Sequence, residues 1–154
     1  MRRITLKFLL ILICFFFTPN FSFCHDYYLG QLTIDHPYLV LPMPGIKSAS
    51  GYLIIKNKGD KSDFLFEIET LFSEKVELHE MSTVGDIMKM KKIKNGIEIP
   101  PGEEVVLKPG GLHIMFKNLK KNFVVGDKEK AILKFKKTGK IIVSFEIQQN
   151  KHSH

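Results

Sequence analysis

Short runs of β-branched and aromatic residues recur along this chain, each soon broken by glycine, proline, asparagine or aspartate. That punctuation limits the fold more than any other feature, because helices need an apolar period near 3.6 sustained over several turns and these runs do not supply it. Strands are expected at 31–35, 51–57, 63–70, 75–81, 87–93, 104–107, 112–117, 131–135 and 140–147. Turn residues fit between them: Lys58-Gly59-Asp60, Asn95-Gly96, Pro100-Pro101-Gly102, Pro109-Gly110-Gly111, Gly126-Asp127 and Thr138-Gly139. Residues 37–45, with Pro42 and Pro44, are expected as a stiff connection rather than a strand. No internal repeat or flexible linker divides the chain, so the expectation is an all-β sandwich or barrel with a single core.

The N-terminus has the character of an export leader. Met1-Arg2-Arg3 and Lys7 are basic, and residues 8–17 form an unbroken apolar run. That run falls short of the roughly 20 residues that a membrane-spanning helix needs, and it suits a signal sequence. Ser22 and Cys24 place small residues ahead of a cleavage point, so the expected division is a leader at 1–24, a domain at 25–150 and a short tail at 151–154. Two other readings are an uncleaved anchor, since Phe21 and Phe23 extend the apolar stretch, and acylation of Cys24, which bulky Phe23 disfavours. With cleavage, Cys14 and Cys24 leave and no cysteine remains. A disulfide, thiol exchange and a thiolate-bound blue-copper centre are then all excluded.

Arg2, Arg3 and Lys7 are the only charges before His25; removing them from 23 basic residues leaves 20 against 16 acidic, a net charge of +4. The lysines are scattered and lack interleaved aromatics, so a nucleic-acid partner is not expected.

Side chains alternate faces along a strand. Val76 and Leu78 therefore share one face while Glu77, His79 and Met81 share the other; Leu112, Ile114 and Phe116 lie opposite His113 and Met115. In both segments the apolar side can fill the core and leave imidazole and thioether groups on the far side. Met88 and Met90 also share a face, in a segment whose lysines mark it as exposed. His113 and Met115 have Cα atoms roughly 6.5 Å apart on one face, close enough for both side chains to reach one ion. Neutral imidazoles with soft thioethers favour Cu(I) over zinc, calcium or magnesium. An ion held by four neutral ligands keeps its charge, so the site is expected at an exposed end of the sandwich. Individually these residues have ordinary explanations: a strand methionine usually fills core space and a lone histidine usually makes hydrogen bonds. Met81 and Met88 stand evenly between auxiliary ligand and packing, Met43 reads as packing, and His36 before Pro37 reads as a turn residue.

As a set, His79, Met90 and His113-x-Met115 resemble the motif of the PCu(A)C family of periplasmic copper chaperones. The surrounding segments VELHEMSTVGDIMKM, GIEIPPGEEVVLKPGGLHIMF and SGYLIIKNKGD carry the resemblance over roughly residues 31–147. It implies a cupredoxin-like Greek-key β-sandwich, with His79, Met90, His113 and Met115 as Cu(I) ligands. It further implies a periplasmic metallochaperone, not an enzyme, that delivers copper to respiratory enzymes, notably the copper-bearing subunit of cytochrome c oxidase, alongside a Sco-type thiol protein. A monomer is expected.

Two terminal features open other chemistry. Paired imidazoles at His152 and His154 could take Cu(II). His25, as a processed N-terminus, would offer amine and imidazole to one Cu(II), as in CopC-like carriers and copper-dependent oxidases or oxygenases. No Ser/His/Asp set, carboxylate pair or phosphate-binding loop points to a hydrolase or transferase.

Overall fold

The computed structural model describes residues 26–41, 45–85 and 87–149. The leader at 1–24, His25, Met43, His152 and His154 lie outside them. The described residues form β1 (Tyr27–Leu29), β2 (Leu32–Val40), β3 (Ser48–Asn57), β4 (Asp63–Thr70), β5 (Ser73–Val84), β6 (Ile87–Lys92), β7 (Ile97–Ile99), β8 (Glu104–Leu107), β9 (Leu112–Leu119), β10 (Lys128–Phe135) and β11 (Gly139–Gln148). Among them no helix is long and apolar enough to cross a membrane.

The strands at 63–70 and 104–107 keep their expected limits, and most others run a little further. β2 is the correction: it passes through Pro37 and continues to Val40, where a connection was expected. The cause is a bulge. Pairing with β3 shifts register between Asp35 and Tyr38, and His36 has a positive φ of 46°. At a break in the ladder, a residue without an N–H forfeits no hydrogen bond, so proline is tolerated inside the strand. His36 is thus a turning residue within a strand. β1 and β7 are the other additions; at three residues each they fall below the length that alternation can reveal.

The sheet runs in the order β6-β5-β9-β3-β2-β11-β10-β4-β7, with β1 beside β2 and β8 beside β3. β3 serves two partners, Ser48–Gly51 against β9 and Leu53–Lys56 against β8. The sheet folds over on itself: Phe116 of β9 meets Phe145 of β11 with ring centroids 5.8 Å apart, although those strands are not neighbours in the ladder. Leu53, Ile55, Leu78, Ile114 and Phe116 on one side and Leu65, Leu133, Val143 and Phe145 on the other close a dry core. Each such side chain contributes about 1.5–3 kcal/mol by leaving water. Gly51 is required beside the Phe116 ring of the neighbouring strand β9, since a Cβ there would lie 2.6 Å from Cε2 of Phe116. Asn57 ties the far end of β3 to β7 by donating from Nδ2 to the carbonyls of Lys61 (2.9 Å) and Ile99 (3.0 Å). β6, β5 and β9 lie at one end of the strand order, and β6 is terminal within it.

Candidate metal centre

Leu78, Ile114 and Phe116 are buried in the core as the alternation requires, and the opposite face of the same strands carries the polar and thioether groups. Register then determines which of those groups meet. His79 of β5 lies directly across from His113 of β9, and Glu77 lies across from Met115. On the other side of β5, Lys92 pairs with His79 and Met90 with Met81. Residues directly opposite one another on antiparallel strands share a face with Cβ atoms about 4.5–5.5 Å apart. One face therefore holds His79, His113, Met81, Met90, Met115 and Glu77.

The two imidazole rings stand edge to face with centroids 5.6 Å apart. Nδ1 of His79 faces Sδ of Met90 at 2.9 Å. Nε2 of His79 lies 3.2 Å from Oε2 of Glu77. That carboxylate is buried and held by three lysines: Lys117 donates to Oε2 at 2.6 Å, Lys92 to Oε1 at 2.8 Å, and Lys75 lies 3.2 Å from Oε1. Hydrogen bonds from Lys117 and Lys92, aided by Lys75 and His79, outweigh burial and hold the Glu77 carboxyl far below the usual carboxylate range.

An ionised carboxylate can only accept, so the proton of His79 belongs on Nε2. Burial, partly offset by Glu77, lowers the His79 pKa and favours the neutral ring. Nδ1 then carries a lone pair, and it points at the lone pairs of a thioether. Two donors face each other with no proton between them, which is the arrangement a cation resolves. Glu77 fixes the tautomer and orientation of His79, as a carboxylate behind a metal-binding histidine would.

His113 is oriented by the backbone. The turn at Pro109-Gly110-Gly111 closes with Gly111 N–H donating to the Lys108 carbonyl at 3.1 Å, and Gly110 has φ 75°. The Gly111 carbonyl accepts from Nδ1 of His113 at 3.0 Å, leaving Nε2 as the free donor atom of that ring. Each histidine thus has one nitrogen committed to the protein and one available.

The structure brings His79, His113 and Met90 together and puts Met115 on the same face, two residues from His113 in the Glu77 row. The site lies at the edge-strand end, yet the histidines are themselves covered, at 6% and 3% exposed, while Met90 is 50% exposed. Only the Met90 side of this group is open to solvent. Met90 and Glu77 lie against the His79 ring on its two nitrogen sides. Met88 is exposed and Met81 half-buried, both on the His79 face. Glu77 and the Gly111 carbonyl were not foreseen as site groups, although period two from His79 does reach Glu77. Among the described residues no three His, Cys, Asp or Glu side chains group as a metal site.

Solved structures share this architecture. The copper-bound PCuAC domain from PmoF2 is 25% identical, with a TM-score of 0.70 over 82% of this chain and 99% of that one. The apo PCuAC domain from PmoF1 is 28% identical, with a TM-score of 0.70 over 82% and 100%. Apo-DR1885 from Deinococcus radiodurans, at 20% identity, TM-score 0.62 and coverage of 89% and 91%, speaks to the fold alone. These likenesses identify the all-β architecture as a cupredoxin-like, PCuAC-like fold. A curated relative from Leifsonia xyli subsp. xyli, named "Putative lipoprotein Lxx21020", is 32% identical over 81 residues, which are 53% of this chain and 49% of that protein. The chain thus spans about half the length of that relative. The model of the LpqE-like family, described as "Putative lipoprotein LpqE-like", matches residues 32–147. Because that match takes in nearly the whole sandwich, the chain belongs to the LpqE-like family.

Proposed function

We propose that this protein is a copper-binding chaperone that holds one Cu(I) through His79, Met90, His113 and Met115 and passes it to another protein. The observation that carries the reading is the lone-pair nitrogen of His79 facing the Met90 sulfur at 2.9 Å, beside the His113 ring. Imidazole nitrogen with thioether sulfur suits a soft monovalent ion. The copper-bound PCuAC domain from PmoF2 lends support through its shared fold. A charged ion among neutral ligands needs solvent nearby, and the exposed side of Met90 provides it. The same opening lets a partner's ligands replace thioethers one at a time, so the ion moves without ever being free. No bond of a substrate is made or broken, which is why the reading is a carrier and not an enzyme.

Delivery to respiratory copper enzymes such as cytochrome c oxidase, with a Sco-type thiol protein as co-carrier, follows from the sequence resemblance. The periplasmic location rests on the leader expected at 1–24, and the family's description, "Putative lipoprotein LpqE-like", supports export. Cleavage after Cys24 and acylation of Cys24 are separated by the intact mass of the exported protein. His25, His152 and His154, on which the Cu(II) readings depend, lie outside the described residues.

Anaerobic Cu(I) competition against a chromophoric chelator tests the proposal. One equivalent should bind tightly. His79→Ala or His113→Ala should weaken it at least a hundredfold, and Met90→Leu or Met115→Leu by about tenfold or about 1.4 kcal/mol each. Unchanged affinity after loss of both methionines overturns the ligand set.

A further inference from the structure

Every residue of β6 is exposed, and two of its six side chains are methionines. Met88 is 65% exposed and Met90 50%, so neither is there to fill the core. Thioether side chains in water gain nothing from the hydrophobic effect. Pairing with β5 puts Met90 directly across from Met81 and Met88 across from Thr83. All three methionines therefore stand on the face that carries His79, toward the far end of the β5–β6 ribbon. Met88 and Met90 are two residues apart, with Cα atoms roughly 6.5 Å from each other. Across the ladder the β-carbon of Met81 lies about 4.5–5.5 Å from that of Met90, directly opposite, and somewhat under about 7–8 Å from that of Met88, on the diagonal. Each side chain is unbranched with three rotatable bonds, so three sulfurs can meet above the sheet at little cost. The histidine row lies one register step inward, where Lys92 pairs with His79.

We propose that Met81, Met88 and Met90 form a second soft-metal site, an all-thioether capture site for Cu(I) that shares Met90 with the histidine site. It deepens the function proposed above, since the shared sulfur makes the two sites consecutive stops for one ion. Three neutral sulfurs in contact with water bind a monovalent soft ion weakly and exclude zinc, calcium and magnesium. An ion caught there keeps its Met90 bond while His79 and His113 replace the two outer sulfurs, so that ligands are exchanged and no electron moves. Weak capture outside and tighter holding inside give the transfer its direction.

The test uses the exported protein as isolated, labelled with ¹³C at methionine methyls, and Ag(I) as a redox-silent soft ion. In the wild type the first equivalent should shift Met90 and Met115. The second should shift Met81 and Met88, since Met90 is already held by the first ion. In the His79→Ala/His113→Ala variant the first equivalent should move the methyls of Met81, Met88 and Met90 and leave Met115 unmoved. Met81→Leu/Met88→Leu should abolish the second binding event and weaken the first by no more than twofold. Met81 and Met88 methyls that stay still through two equivalents, in wild type and variant alike, overturn the capture site. A tenfold loss of the first event in the leucine variant overturns the division into two sites. Failure of Met90 and Met115 to respond to the first equivalent strikes instead at the histidine site, so the two failures are distinct.

Discussion

Replacing Glu77 by leucine isolates what the carboxylate does for His79. In the native site Nε2 of His79 lies 3.2 Å from Oε2, on a ring that is 6% exposed. Leucine removes the acceptor and leaves a buried N–H without a partner, a cost of about 1–3 kcal/mol in fold stability. The ring can avoid part of that cost by moving its proton to Nδ1, where the Met90 sulfur is a weak acceptor. Copper must then displace the proton, and the loss of such a carboxylate typically lowers metal affinity by about 10–100-fold, or about 1.4–2.8 kcal/mol. The three lysines soften the effect on folding, because their side chains are 40–59% exposed and water can take over their ammonium groups. Glu77→Gln keeps an oxygen toward Nε2 and should fall between wild type and Glu77→Leu. Cu(I) competition gives the affinity, urea unfolding the stability, and ¹⁵N-resolved imidazole shifts the tautomer. Wild-type affinity with an unchanged Nε2–H tautomer in Glu77→Leu refutes the assigned role.

Gly51→Ala should destabilise the fold by about 1–3 kcal/mol in urea unfolding, since its Cβ would press on the buried ring of Phe116. Phe116→Ala should cost about 3–5 kcal/mol, as the ring packs against both Phe72 and Phe145. Asp63 gives an acid-side prediction. Burial raises its pKa, but the Thr138 hydroxyl and the backbone N–H groups of Lys137, Phe64 and Thr138 outweigh burial and hold it below the ordinary value. Its stabilisation is therefore complete above the unfolded pKa, near 3.9, and is lost as pH falls through the lower folded value. Asp63→Asn should cost about 1.5–3 kcal/mol at neutral pH and flatten the decline of stability below about pH 4, as followed by acid unfolding.

The all-β class, most strand positions and the face on which each candidate ligand lies were legible because period two is a local signal. It put His79 and His113 opposite the apolar residues that became Leu78, Ile114 and Phe116 of the core. The meeting of the two histidines was not legible. β5 and β9 are separated by three strands in the chain, and their register depends on how those fold between them. Glu77 was visible on the His79 face, but only the register that brings Lys92 and Lys117 to it reveals a buried, lysine-held carboxylate. Pro37 misled because proline marks a strand end except at a bulge, and the bulge at His36 shows only in the register and in its positive φ. The three-residue strands β1 and β7 carry too few alternations to register as strands.

X-ray absorption at the copper edge of the protein loaded with one Cu(I) reads the ligand atoms themselves. The proposed site predicts a mixed shell of two nitrogens and two sulfurs, with the sulfur scattering removed by Met90→Leu/Met115→Leu. A first shell of nitrogen and oxygen alone, unchanged by that double substitution, would contradict it.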